Sequence, residues 1–315
     1  MTRIGSTAAL QKSLSALQQD VVGCGRCPRL VRYRRALARE HPEWWCRPVP
    51  SFGDSDARIL IVGLAPGRAG SNRTGRMFTG DASGRFLYPT LHALGLANQP
   101  DAEHLDDGLQ LFSIYITATA RCVPPQNKPL PDELARCHRF LVEELARLAA
   151  VRVVVSLGRI AHQAVLKALT LLPSRYPFAH GAEYSLSGQP AFLLASYHPS
   201  RQNTQTGRLT ASMFRGIFVR ATVLANVEIP DPSLATRPSS LENNTFDGAI
   251  MNHERLATTE AGTPRQSRGV PRHRAGTIRA GAEVLRDAGP AGKCRAMPIA
   301  RPSDDPSIRS EDLRA

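Results

Sequence analysis

Four short runs of apolar residues alternate with amphipathic segments along the first part of the chain. The apolar runs occupy residues 58–64, 111–117, 151–157 and 191–197. Between them, apolar residues recur with helical spacing over residues 84–94, 131–148 and 158–171. Continuous apolar strands are buried on both faces of a sheet, and their alternation with helices is typical of βαβ units. The pattern therefore predicts an α/β fold built on a parallel sheet.

The pattern changes near residue 230, where Pro, Gly, Ser, Arg, Thr and Ala dominate and apolar periodicity ends. A segment of this composition cannot bury enough apolar surface to offset the entropy of ordering it. We therefore expect a folded domain over residues 1–228 and a disordered, low-complexity C-terminal tail over residues 229–315. Residues 1–20 predict a polar amphipathic helix rather than a signal peptide. No run of apolar residues is long enough to predict a membrane span.

The net charge of +13 belongs mainly to the predicted folded domain. Residues 1–230 hold 27 Lys and Arg against 16 Asp and Glu, whereas residues 231–315 hold 13 against 11. Most of the excess is arginine, whose guanidinium group matches phosphate oxygens, so we expect a nucleic acid partner. Six cysteines without a secretory signal favour a reducing compartment. We therefore expect a cytoplasmic, nucleoid-associated protein.

Four of the cysteines have a spacing that indicates a metal site. Cys24 and Cys27 form a C-x2-C element, and Cys122 and Cys137 follow much later in the chain. Such a split set would join the N-terminal region to a loop in the middle of the fold. Four thiolates bind either zinc or an iron–sulfur cluster, and the spacing does not distinguish the two.

The loop after the first strand, residues 63–84, is long and rich in glycine, which lets backbone amides approach a ligand closely. Ligands of parallel sheets bind at the carboxyl ends of the strands, where this loop begins. Phe78 can stack on a planar base, and Asp81 is the only carboxylate of the loop. Its arginines, among them Arg73 and Arg76, would neutralise phosphates.

Two further loops carry candidate functional side chains. Asn127 lies in a proline-rich turn after the second strand and brings an amide that donates and accepts hydrogen bonds. Asn in a turn is usually structural, so this residue alone does not predict a catalytic role. His198 precedes a proline at the end of the fourth strand, which holds it in an extended conformation. The polar residues 201–206 that follow are suited to entering a groove of DNA.

Together these loops resemble the uracil-DNA glycosylase superfamily, and specifically its type-b (family 5) iron–sulfur branch. The resemblance covers roughly residues 20–222. It is carried by the C-x2-C element at Cys24, GLAPG from Gly63, NRTGRMFTGDASG from Asn72, RCVPPQNKP from Arg121, Cys137, and HPS from His198.

The resemblance implies a three-layer α/β/α sandwich with a central four-stranded parallel sheet. It implies a 4Fe–4S cluster on Cys24, Cys27, Cys122 and Cys137, which makes zinc the minor alternative. Cys46 and Cys294 fall outside the motifs. The residues that match those implicated in catalysis are Asp81, Asn127 and His198.

Two departures from the wider superfamily concern the residues at the strand ends. Other branches carry a catalytic carboxylate at the positions of Leu64 or Ala65, and the thermophile-type family has an Asn at the position of Ala118. Both losses are typical of the type-b branch and relax discrimination between bases. We therefore expect action on uracil, hydroxymethyluracil, hypoxanthine and ethenocytosine.

The implied reaction is monofunctional hydrolysis of the N-glycosidic bond of a deaminated base in double-stranded DNA, which begins base excision repair. His198 would stabilise the leaving base, Asp81 would orient or deprotonate water, and Asn127 would position the water or the base. The expected base-binding residues are Gly63, Phe78, Thr79 and Gly80. The expected DNA-binding residues are Arg73, Arg76, Arg201, Gln202 and Asn203.

We expect a monomer whose abasic product passes to downstream repair enzymes. Two other functions stay open from the sequence. One is an iron–sulfur protein that binds damaged DNA without cutting it, and the other is a zinc-stabilised nucleotide hydrolase on a similar sheet.

Overall fold

The structure is a computed structural model that describes residues 7–228. The tail predicted for residues 229–315 lies outside the described residues, as does the beginning of the predicted N-terminal helix. The helices are α1 (Thr7–Gly23), α2 (Pro28–Glu40), α3 (Ser71–Thr74), α4 (Gly84–His92), α5 (Pro131–Arg147), α6 (Arg159–Ala168), α7 (Arg201–Gln205) and α8 (Ala211–Ala225). The strands are β1 (Phe52–Gly53), β2 (Ile59–Gly63), β3 (Ile114–Ala118), β4 (Val153–Leu157), β5 (Glu183–Ser185) and β6 (Phe192–Ser196).

The sheet has six strands in the order β1-β3-β2-β4-β6-β5. Its four central strands are the four predicted from the apolar runs, and they pair in parallel. The edge strands β1 and β5 pair antiparallel to their neighbours, so the sheet has two strands beyond the four that were predicted. The two edge strands have two and three residues, which is too short for an apolar pattern to reveal.

Helices cover both faces of the sheet, which confirms the predicted α/β/α fold class. Along β2, Ile59 and Ile61 belong to one hydrophobic cluster, together with residues of α4 and α8. Leu60 and Val62 point to the other face and join residues of α5 and α6. This alternation is the period of a strand, and it buries both sets of side chains completely.

Two long helices, α2 and α8, were not predicted from the sequence. Helix α2 begins at Pro28, a residue suited to the first turn, and buries Leu30 and Leu37 on one side. Helix α8 begins after Thr210, whose hydroxyl accepts a hydrogen bond from the amide of Met213. Among the described helices, none has the length and apolar character needed to cross a membrane.

Candidate active site

A cleft of about 690 Å³ lies at the carboxyl ends of the parallel strands. Gly63 at the end of β2 and Ala118 at the end of β3 form part of its wall. The structure brings the three predicted catalytic residues to this one cleft, each from a different loop: Asp81, Asn127 and His198. Their placement follows from the sheet, because parallel strands end at the same edge.

Asp81 is held by backbone amides on one side and by glycines on the other. Its Oδ1 accepts hydrogen bonds from the amides of Ser83 (3.0 Å) and Gly84 (3.1 Å) at the start of α4. Its Oδ2 faces the loop after β2, where a Cβ on Gly70 would lie 2.0 Å away and one on Gly67 would lie 3.0 Å away. The two glycines therefore make room for this carboxylate.

The protonation of Asp81 reflects two opposing effects. Burial raises the pKa of Asp81 above its usual value, while the amides of Gly84 and Ser83 and the charges of Arg85 and Arg73 lower it. Burial is the stronger effect, so the carboxylate takes up a proton more readily than an exposed aspartate.

His198 follows β6 and projects into the cleft from an anchored backbone. The side-chain amide of Asn203 donates to the carbonyl oxygen of His198 at 2.8 Å. Burial lowers the pKa of His198 to about 4, so the imidazole is neutral near pH 7. A neutral imidazole carries one N–H donor, which can serve an acceptor on a ligand.

Phe78 lies beside His198, with ring centroids 6.0 Å apart and an angle of 26° between the rings. Its backbone is left-handed, with φ of 54°, and its amide donates to the hydroxyl of Ser71. A Cβ on Gly63 would lie 2.9 Å from the ring. Gly63 is thus required for the ring to lie over the end of β2, and this is a role the sequence did not predict.

Asn127 reaches the cleft from a 3₁₀ turn, Pro125–Asn127, in which it has a φ of 57°. Its side chain is exposed and forms no hydrogen bond with the described residues. Arg29 of α2 fixes the following segment by donating to the carbonyl oxygen of Lys128 at 3.0 Å and pairing with Glu133 at 2.9 Å. The turn is therefore anchored while the amide of Asn127 stays open to a ligand.

For three residues of the loop after β2, the structure does not support the predicted contacts with DNA or a base. Arg76 is 3% exposed and forms a two-pronged ion pair with Asp107, so it cannot contact a DNA phosphate. Thr79 is fully buried, and its hydroxyl bonds to Arg76. The amide of Gly80 donates to the carbonyl oxygen of Ala102. Neither Thr79 nor Gly80 lines the cleft, so their predicted contacts with a base are not supported.

The other predicted DNA contacts divide into two groups. Arg201 and Gln202 are exposed and line the cleft, in agreement with a role at the DNA surface. Asn203 instead supports His198 through the hydrogen bond described above. Arg73 donates to the carbonyl oxygens of Ala69 and Gly80, so its guanidinium braces the loop.

The four predicted metal ligands, Cys24, Cys27, Cys122 and Cys137, line one enclosed cavity of about 20 Å³. The amide of Arg121 donates to Cys137 Sγ at 3.3 Å. Burial raises the pKa of all four thiols, that of Cys122 to about 12, so thiolates here need a compensating positive charge. Metal ions provide such a charge.

The donor set of this cavity is four thiols. In residues 7–228, no three His, Cys, Asp or Glu side chains are placed to hold one metal ion. Tetrahedral zinc requires all four sulfurs at about 2.3 Å from one point. Four thiols around one cavity are a donor set found in both zinc and iron–sulfur sites.

A buried ion pair next to this cavity was not found from the sequence. Arg121 and Glu144 are 1% and 0% exposed and pair with each other. Ser51 and Thr117 donate to the same carboxylate, at 2.5 and 2.6 Å. Burial raises the pKa of Glu144, but Arg121 and these hydroxyls outweigh it and keep the pKa below the usual value. The pair joins the residue preceding Cys122 to α5.

The model of the Uracil DNA glycosylase superfamily matches residues 50–220, more than half of the chain. The chain belongs to this superfamily. A relative described as a type-5 uracil-DNA glycosylase, from Thermus thermophilus, is 54% identical over 217 residues, which are 67% of this chain and 98% of the relative. Another of the same description, from Pyrobaculum aerophilum, is 45% identical over 205 residues, covering 64% and 88%. A type-4 uracil-DNA glycosylase from Archaeoglobus fulgidus is 32% identical over 192 residues, covering 60% and 82%.

These similarities confirm the predicted resemblance to the type-5 branch. The family match, residues 50–220, includes every residue that lines the cleft. The glycines that accommodate Asp81 were missed because only their general flexibility was considered. Asp81 lies three residues before Gly84, the first residue of α4. An aspartate just before a helix commonly accepts hydrogen bonds from the first backbone amides, and this signal could have placed Asp81 against α4.

Proposed function

We propose that this protein is a DNA repair glycosylase of the type-5 branch. It hydrolyses the N-glycosidic bond of uracil in double-stranded DNA and leaves an abasic site. The observation that carries the proposal is the convergence of Asp81, Asn127, His198 and Phe78 on one cleft of about 690 Å³. That volume lies within the usual range of small-ligand sites, about 300–1,000 Å³. The similarity to relatives described as type-5 uracil-DNA glycosylases also supports this function.

The target base enters the cleft after leaving the helical stack, which costs less at a mismatch. Phe78 stacks on the base, a contact that contributes about 1–3 kcal/mol in other proteins. Arg201 and Gln202, at the rim, hold the opened duplex. The short side chain of Ala118 leaves room in the wall, so hydroxymethyluracil, hypoxanthine and ethenocytosine are substrates as well as uracil.

Bond rupture leaves positive charge on the sugar and negative charge on the base. The neutral imidazole of His198 donates its N–H to the base oxygen on which the charge develops. Asp81 is active as the carboxylate, in which form it orients or deprotonates the attacking water and offsets the charge of the sugar. Asn127 places the water or the base with its free amide.

The four cysteines that line the small cavity are proposed to hold a 4Fe–4S cluster. Bound there, it would crosslink the end of α1, the start of α2, the segment before α5 and α5 itself, and it would transfer no electrons in this hydrolysis. Cys27 directly precedes α2, from which Arg29 contacts the segment that carries Asn127. The metal site thus stabilises one wall of the cleft.

The partners and location remain predictions. DNA containing uracil or deaminated bases is the proposed substrate, and the abasic product requires further repair enzymes. A monomeric state and a cytoplasmic, nucleoid-associated location are the expectations from the sequence.

A substrate panel tests the proposal. Duplexes with one central uracil, hydroxymethyluracil, hypoxanthine or ethenocytosine are incubated with the enzyme and then treated with alkali, beside single-stranded uracil DNA. Cleavage of several lesions in duplex DNA is the expected result. Strict specificity for uracil would contradict the broad range, and binding without cleavage of any lesion would favour the non-catalytic damage binder.

A further inference from the structure

Helix α2 exposes three arginines as a single stripe. At 100° per residue, Arg32, Arg35 and Arg39 fall within about 60° of arc, on the side opposite the buried Leu30 and Leu37. All three arginines are exposed, and none forms an ion pair with a described acidic residue. An arginine stripe without acidic partners concentrates positive charge on one surface.

The two ends of α2 contact two loops that line the cleft. Near its start, Arg29 donates to the carbonyl oxygen of Lys128, next to Asn127. At its end, Glu40 pairs with Arg68, a residue of the cleft wall, at 2.9 Å. Arg29 and Glu40 are eleven positions apart, which places them about 20° apart around the helix.

Both end contacts lie on one flank of α2, and Arg32, the nearest residue of the stripe, is about 60–80° around the helix from that flank. The helix has 13 residues and is about 20 Å long. The stripe from Arg32 to Arg39 extends about 10 Å, which equals about three base-pair rises of about 3.4 Å along the axis of duplex DNA.

We propose that the Arg32–Arg35–Arg39 stripe of α2 binds the phosphate backbone of duplex DNA beside the damaged base. This surface was not among the DNA contacts predicted from the sequence. The inference rests on the proposed function for its choice of partner, since DNA that delivers a base to the cleft must cross the neighbouring surface. The contacts are to phosphates, so they raise affinity without regard to base sequence.

The test compares two variants that each lose three positive charges. One is Arg32→Gln/Arg35→Gln/Arg39→Gln. The matched control is Lys167→Gln/Arg175→Gln/Arg215→Gln, whose exposed side chains lie away from the cleft and form no ion pair with a described residue. Fluorescence anisotropy measures the Kd for an undamaged G·C duplex and for the same duplex with one G·U pair, between about 50 and 200 mM salt.

The α2 variant is expected to bind both duplexes about tenfold or more weakly at low salt, with a salt slope reduced in magnitude by about 2–3. In single-turnover cleavage, the weaker binding should raise the enzyme concentration needed for the half-maximal rate. Equal Kd values and salt slopes for the two variants would overturn the proposal. A loss confined to the G·U duplex would also overturn it, because phosphate contacts do not read the lesion.

Binding to undamaged DNA does not require glycosylase activity, which separates this test from that of the proposed function. A wild-type protein that binds DNA but releases no base contradicts the proposed function alone. If the wild-type protein cleaves uracil DNA and the α2 variant has the same Kd and salt slope as the control variant, only the α2 inference is contradicted.

Discussion

Substitution of Gly70 by alanine tests whether the loop after β2 sets the position of Asp81. The added Cβ would lie 2.0 Å from Asp81 Oδ2 and 2.6 Å from Cγ, whereas real Cβ atoms essentially never approach another heavy atom within 3.0 Å. The carboxylate must therefore move by about 1 Å. A displacement of about 1 Å in a catalytic group can reduce a rate about 100-fold, which is about 2.7 kcal/mol of activation free energy.

The chain offers a graded series for this prediction. A Cβ on Gly67 would lie 3.0 Å from Asp81 Oδ2, so Gly67→Ala needs a shift of only a few tenths of an ångström and should cost less than about tenfold. Gly216 in α8 has no heavy atom within 4 Å of such a Cβ, so Gly216→Ala should leave the rate unchanged. Single-turnover cleavage of a G·U duplex at saturating enzyme measures all three.

A double variant separates displacement of Asp81 from general damage to the loop. If Gly70→Ala acts through Asp81, adding it to Asp81→Ala should slow cleavage less than about twofold further. The melting temperature of each variant is recorded to detect a general loss of stability. A wild-type rate for Gly70→Ala, or full additivity with Asp81→Ala, would refute the reasoning.

Three further predictions concern protonation, stability and the metal site. In Asp81→Asn, the residual rate should be constant from about pH 8 to 5.5, because the pKa of His198 is about 4 and its imidazole stays neutral; an inflection near pH 6.5 would show an ordinary histidine. Glu144→Ala leaves Arg121 buried without an acidic partner and should lower the free energy of unfolding in urea by about 3–5 kcal/mol. The control Glu143→Ala breaks only partly exposed ion pairs and should lower it by less than about 1 kcal/mol. Equal losses would contradict this difference. Cys122→Ser should lose brown colour and bound iron while Cys46→Ser keeps both, because Cys122 lines the cavity and Cys46 does not. Zinc in the wild-type protein would refute the cluster.

The parallel centre of the sheet and the contents of the cleft were predictable because both depend on local patterns. Each central strand is an uninterrupted apolar run, and the loops at their carboxyl ends meet at one edge of the sheet. The grouping of Asp81, Asn127 and His198 follows from that rule. The cysteine cavity was indicated by the C-x2-C element together with the family resemblance.

What the sequence did not reveal depends on contacts between distant positions. Arg76 and Asp107 are 31 positions apart, and no local pattern shows that their ion pair removes the arginine from the DNA surface. Arg121 and Glu144 likewise find each other only after α5 packs on the sheet. Helix α2 was missed because its five arginines were treated as part of the net charge, although Leu30 and Leu37 mark one buried side.

The most direct test of the account is a single-turnover reaction on duplex DNA with one central G·U pair. Free base, alkali-labile sites and strand breaks before alkali are measured for wild type and for Asp81→Asn. The account predicts one free uracil for each abasic site, an intact strand until alkali is added, and a large loss of rate in the variant. Tight binding of the duplex without released uracil, or equal release by Asp81→Asn, would contradict it.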